Sequence, residues 1–215
     1  MNRTLSVLAL LLVAALALAY LYRATNSGQP GAAYEDGRFV PVPTADFEPG
    51  PAIGSHFPGL QASYRSRRIT LVQEFAGANG TVVVAMLSLD WCQYCRRQLL
   101  QLQEFLPRFE AAGIGLVVIT YDRPEDLRSF IERNDISIPV LSDDNALTFR
   151  TLGILDETRE PGDTHYGLPH PGMLVLDSDN KVVDKLFPAD FMLRVDAASA
   201  LEFARRALET GPTVN

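Results

Sequence analysis

Cys92 and Cys95 are the only thiols in the 215 residues, and two residues separate them. Thiols at that spacing can close a disulfide with each other, so the pair can accept or give up two electrons. Zinc would need two further ligands, and the chain has no second cysteine pair. A purely structural bridge across so small a loop would restrain the unfolded chain little. Redox exchange is the chemistry that remains, and it requires no metal and no cofactor.

The flanking residues say what must hold the pair. Residues 81–87, Thr-Val-Val-Val-Ala-Met-Leu, form an apolar, β-branched run that predicts a strand. After Trp91-Cys92-Gln93-Tyr94-Cys95, the apolar residues Cys95, Leu99, Leu102, Leu106 and Phe109 recur at spacings of four and three. That period predicts a helix over 93–112, stopped at Gly113. Both cysteines then lie on its first turn, where free N–H groups and the helix dipole stabilise an anion. A thiol so placed can titrate anywhere from about 3.5 to 7.5 instead of about 8.5. Cys92, nearer the helix start, is the expected nucleophile. Cys95, a turn further in, is expected to resolve the mixed disulfide. Trp91 is expected beside them as a partner surface or a half-buried packing residue. Arg96, Arg97 and Asp90 are expected on solvated surface.

The rest of the chain separates into three parts. Residues 1–23 open with a short positive stretch and continue as an uncharged Leu/Ala/Val run over 5–22. This is about the length that spans a bilayer. Tyr20, Tyr22 and Arg23 suit an interfacial anchor, and Ala17-Leu18-Ala19 would suit cleavage of a signal peptide. An uncleaved anchor is the favoured expectation. Either way, the rest of the chain is placed in the bacterial cell envelope, on the periplasmic side of an inner membrane or exported. Residues 24–51, rich in Gly, Pro and Ala, are expected to be a flexible linker, with Phe39-Val40 and Phe47 as a possible edge strand. Residues 52–215 are expected to form one α/β domain.

Within that domain, strands are predicted at 69–72, 82–87, 115–121, 138–141, 173–176 and 181–187. Helices are predicted at 93–112, from 124, at 145–152 and over 197–208. Helical crossovers imply parallel pairing early on, and the late hairpin is antiparallel. A hydrophobic content of 47% supplies a full core, and the net charge of -7 argues against nucleic acid as a partner.

With these elements in place, the chain resembles the thioredoxin superfamily, and within it the peroxiredoxin-like group of alkyl-hydroperoxide-reductase and thiol-specific-antioxidant (AhpC/TSA, redoxin) domains. The resemblance covers about residues 59–187. It rests on Asp90-Trp91-Cys92-Gln93-Tyr94-Cys95, Tyr121-Asp122-Arg123-Pro124-Glu125, Ile138-Pro139-Val140-Leu141-Ser142-Asp143 and Tyr166-Gly167-Leu168-Pro169-His170-Pro171-Gly172. It implies a thioredoxin-like fold with a central mixed sheet flanked by helices. It also implies that Pro171 is a cis proline facing the cysteine pair, with His170 before it. The sequence departs from true peroxiredoxins at two positions. Leu89 and Ala85 stand where they carry a hydroxyl residue and a proline, and no arginine occurs between His165 and Leu176.

Three functions follow. The first is a thiol-disulfide oxidoreductase that acts on protein dithiols or disulfides, or is served by a thioredoxin-like electron donor. The second is a thiol peroxidase, with Cys92 oxidised by peroxide and Cys95 resolving it. The third is a copper(I) module that adds His170 to the two thiols.

Overall fold

The computed structural model describes residues 37–41 and 47–211. The expected membrane segment, 5–22, lies outside them. Among the described residues no helix is long and apolar enough to cross a membrane.

The strands are β1 (Phe39–Val40), β2 (Ala62–Tyr64), β3 (Arg67–Ile69), β4 (Gly80–Met86), β5 (Ile114–Thr120), β6 (Val140–Ser142), β7 (Gly172–Asp177), β8 (Val182–Leu186) and β9 (Arg194–Val195). The helices are α1 (Gln93–Ala111), α2 (Pro124–Arg133), α3 (Leu147–Leu152) and α4 (Ala197–Thr210). Seven strands form a mixed sheet in the order β3-β2-β6-β5-β4-β7-β8. The β4/β5 and β5/β6 pairs are parallel, while β4/β7 and β7/β8 are antiparallel. This is the mixed α/β sheet expected from the crossovers and the late hairpin.

The central strand β4 is buried along its whole length. Its side chains alternate, so Val82, Val84 and Met86 enter the core beneath α1, α2 and α4. Val83 and Ala85 enter the opposite core, with Phe149 and Leu152 of α3. A strand covered on both faces therefore reads as a continuous apolar run rather than an alternation. On α1, Leu99, Leu102 and Phe109 are fully buried. Each such side chain contributes about 1.5–3 kcal/mol relative to exposure, and together they fix the helix that carries the cysteines.

Three boundaries differ from expectation. The strand expected at 69–72 is β3, which ends at Ile69; residues 72–75 form a single 3-10 turn with Val72 buried. Arg65 and Ser66 both have positive φ, 48° and 63°, and close a tight hairpin between β2 and β3. The strand β2 has no apolar run to announce it. Residues 37–41 and 47–51, expected in the linker, include segments packed on the domain. The Gly50 N–H donates to the Gly153 carbonyl at 3.1 Å, and the Phe47 ring meets His170 edge-on at 4.8 Å. Finally, β1 joins β9 in a separate parallel ladder, outside the main sheet.

Candidate active site

The chain leaves β4, turns through residues 87–91 and enters α1 at Cys92. Cys92 is the N-cap of α1, and its Sγ accepts the Cys95 N–H at 3.3 Å. A sulfur takes the place that Ser, Thr or Asp usually fills, which directs the helix terminus at the thiol. The two cysteines are not bonded to each other. Cys92 is 7% exposed and Cys95 0%, so an external reagent meets Cys92 first.

The turn is held by a buried carboxylate. The Leu89 N–H donates to Asp122 Oδ2 at 2.6 Å, and the Ser88 hydroxyl donates to Asp122 Oδ1. The same hydroxyl oxygen accepts the N–H groups of Asp90 at 3.0 Å and Trp91 at 3.2 Å. Burial pushes the Asp122 carboxyl above its ordinary range, and these hydrogen bonds only partly offset that. Arg96 donates from Nε to the Leu89 carbonyl at 2.6 Å and lies over the Phe130 ring. It buttresses the turn, where the helix pattern suggested only a solvated face. Leu89 is buried, so the position three before Cys92 offers no hydroxyl. The neighbouring hydroxyl of Ser88 is spent on Asp122.

The charge beside the sulfurs comes from Arg194, which sequence reasoning missed. Its Nη2 lies 3.5 Å from Cys95 Sγ and 3.8 Å from Cys92 Sγ. Its Nη1 donates to the carbonyls of Phe191 at 2.9 Å and Leu193 at 2.6 Å. The residue is 3% exposed. Its backbone is fixed on both sides: the Arg194 N–H donates to the Arg38 carbonyl at 2.8 Å, and Gln98 Nε2 of α1 donates to the Val195 carbonyl at 3.0 Å. Sequence separation hid this arginine, since Arg194 lies 102 positions after Cys92.

These contacts set the ionisation of the pair. Burial pushes the Cys95 thiol up. The hydrogen bond with Cys92 and the charge and hydrogen bond of Arg194 outweigh it and bring Cys95 down to about 6. Cys92 is pushed up, first by the proton it shares with Cys95 and then by burial. The pair therefore loses one proton easily and holds the second. One negative charge lies between two sulfurs beneath one guanidinium.

The other expected residues are distributed differently. Trp91 is 43% exposed beside Cys92, and its ring meets His165 at 4.8 Å. His170 does not take part in the polar contacts of the pair. Its N–H donates to the Ile154 carbonyl at 2.7 Å and its ring meets Phe47. Burial holds its imidazole below the usual range, with Asp156 and Glu157 partly offsetting this. A copper site would need it beside the thiols, and no group of three His, Cys, Asp or Glu side chains is placed to hold a metal among the described residues. The peptide before Pro171 is trans, since no cis peptide occurs among the described residues, so the expected cis bond is corrected. The loop is instead drawn out by the His170–Ile154 hydrogen bond and a bridge between Leu155 and Pro169. An extended trans peptide satisfies both.

A dithiol at the strand-to-helix junction of a mixed sheet, with helices on both faces, defines a thioredoxin-like protein. The AhpC/TSA family profile matches residues 53–185, and the chain belongs to that family. Among curated relatives it is 21% identical over 97 residues to the thiol-disulfide oxidoreductase ResA of Bacillus thuringiensis, covering 45% of this chain and 49% of that protein. It is 27% identical over 88 residues to peroxiredoxin Bcp of Escherichia coli K12, covering 41% and 56%. The chain thus spans about half the length of the curated relatives it matches. The crystal structure of peroxidoxin BcpB from Mycobacterium tuberculosis superposes with a TM-score of 0.59 at 17% identity, covering 74% of this chain and 96% of that one.

Proposed function

We propose that the chain is a thiol-disulfide oxidoreductase of the cell envelope, working through Cys92 and Cys95. The observation that carries this reading is the geometry of the pair. Cys92 caps the helix just beneath the surface, 7% exposed beside an exposed Trp91, and Cys95 lies fully buried behind it. A partner's sulfur can reach only Cys92, and Cys95 can reach only Cys92. The mixed disulfide forms at Cys92 and is resolved from within, the Cys95 thiolate displacing the partner. Run in reverse, the same steps oxidise a partner dithiol. The uncharged run at 5–22 supports placement in the envelope.

One observation favours the second reading, a thiol peroxidase: Arg194 supplies a cation at the sulfurs. Against it, Leu89 offers no side-chain donor for a peroxide, and losing one such donor typically costs about 10²–10³ in rate. Both readings are tested by mixing the reduced protein, in separate runs, with a peptide disulfide and with hydrogen peroxide, following Trp91 fluorescence. The oxidoreductase reading expects fast exchange with the disulfide, lost in Cys92→Ser, and peroxide consumption no faster than a simple thiolate. Peroxide consumption orders of magnitude faster than that would establish the peroxidase. Placement is tested by a reporter enzyme fused after Asn215 that is active only when exported; a full-length fusion that is made but inactive would remove the envelope from the reading.

A further inference from the structure

Arg194 is a permanent cation, almost fully buried, and its Nε is enclosed with no acceptor. Its Nη1 is occupied by two neutral carbonyls. Among the described residues no carboxylate lies within ion-pair distance of it. The groups in contact with it that can carry a negative charge are the sulfurs of Cys92 and Cys95. In the dithiol state one of those sulfurs is an anion and the cation is paired. In the disulfide state neither sulfur can ionise, and the guanidinium is left buried without a counter-charge. A buried charge stripped of its partner is strongly unfavourable.

We infer that Arg194 tips the Cys92–Cys95 couple toward its reduced form, raising its potential and favouring reactions in which the pair takes electrons from dithiols of a protein or peptide chain. The inference rests on the oxidoreductase reading and says which direction Arg194 favours. The steps balance as follows. A substrate thiolate attacks Cys92 Sγ of the disulfide; the Cys92–Cys95 bond breaks and Cys95 departs as a thiolate onto Arg194. The second substrate thiolate attacks its own partner sulfur in the mixed disulfide, forming the substrate disulfide and releasing Cys92. Two electrons pass to the pair. Of the two substrate protons, one stays between the two sulfurs and one goes to water. A second disulfide, of higher potential, re-oxidises the pair by the reverse steps.

The size of the effect follows from the thiol. With Cys95 at about 6, against about 8.5 for an ordinary thiol, the reduced form gains about tenfold in population at pH 7. Tenfold is about 30 mV for a two-electron couple.

The test equilibrates the wild type, Arg194→Gln and Arg194→Lys with glutathione redox buffers and measures the fraction of disulfide. Arg194→Gln is expected to fall by up to about 30 mV, since the hydrogen bond with Cys92 shares in the lowering of Cys95, and Arg194→Lys, which keeps the charge, is expected to fall by less than Arg194→Gln. A Gln variant at the wild-type potential overturns the inference while leaving the oxidoreductase reading intact. A wild-type pair that never equilibrates with glutathione disulfide removes both. A measurement on the wild type alone guards against a variant that does not fold. Urea unfolding must show the reduced protein to be more stable than the oxidised one, and the opposite order sinks the inference.

Discussion

The number of thiolates in the reduced protein follows directly from the placement of Arg194. If one guanidinium serves both sulfurs, titration should reveal a single thiolate per molecule across the neutral range. With its midpoint at about 6, about 90% of molecules carry that thiolate at pH 7, against about 3% for an ordinary thiol near 8.5. The thiolate fraction thus rises about 30-fold. Alkylation rate is a poor measure of this, because a low-pKa thiolate is also a weaker nucleophile. A Brønsted slope of about 0.4–0.5 gives back about 10- to 18-fold. The net gain of two- to threefold would hide within the effect of burial. Absorbance at 240 nm counts thiolates directly. The reduced wild type should show one step below pH 7 with the amplitude of one thiolate, and no second step before pH 9. In Cys95→Ser the competing anion is gone, while the Cys95 N–H donor and Arg194 remain. Cys92 should then ionise at lower pH than it does in the wild type, because the neighbouring thiol no longer holds it up. An amplitude of two thiolates at pH 8, or no rise until above pH 8, would refute the shared-cation argument.

Other expectations concern the frame around the pair. Asp122→Ala strips the acceptor from the Leu89 N–H and the Ser88 hydroxyl. At about 1–3 kcal/mol for each buried group left unpaired, urea unfolding should show a loss of about 2–6 kcal/mol, and a loss under 1 kcal/mol would mean the turn does not depend on it. Asp143 accepts the Thr148 and Phe149 N–H groups at the start of α3, yet burial holds its carboxyl up at about 6. The folded state therefore binds this proton more tightly than the unfolded chain does, so the contribution of Asp143 to stability is greatest below about pH 4 and declines as pH rises to about 6. The decline is about 3 kcal/mol from this group, and Asp143→Asn should flatten it; an unchanged stability profile in that variant would count against the assignment. Gly172→Ala would set a methyl 2.2 Å from the Phe187 ring. Overpacking of that kind typically costs about 1–3 kcal/mol, and an unchanged melting temperature would show that Phe187 moves aside freely.

Much of this was legible in the sequence because the signals are local. The β-branched run before Trp91 and the four-and-three spacing after Cys95 specify a strand and a helix without tertiary information. The pair follows from two cysteines and nothing else. The short strands were not legible, because Ala62–Tyr64 and Arg194–Val195 are too brief to show a period and owe their existence to pairing. The same holds for the supports of the site. Asp122 sits in the bend just past the end of β5, in a stretch that the family resemblance already drew on, yet only the fold brings it to Ser88 and Leu89. The cis bond was expected from a motif rather than from local energetics, and X-Pro peptides favour trans by about 0.5–1 kcal/mol unless the surroundings demand otherwise.

The division of labour in the site has a further consequence. The family profile ends at residue 185 and begins at 53. The cysteines, the turn and Asp122 lie inside those limits, while Arg194 and the strand that pairs with it lie outside. The position of the guanidinium depends on the Arg194–Arg38 hydrogen bond and on β1 pairing with β9. A segment within the expected linker, Arg38 to Val40, is thus joined to the strand that carries the cation, with Phe39 paired to Arg194 itself. The dithiol and its charge are held by separate parts of the chain. Membership of the family, which rests on residues 53–185, therefore carries the thiols and their turn, while the cation that tips the couple is supplied by residues of this chain beyond that match.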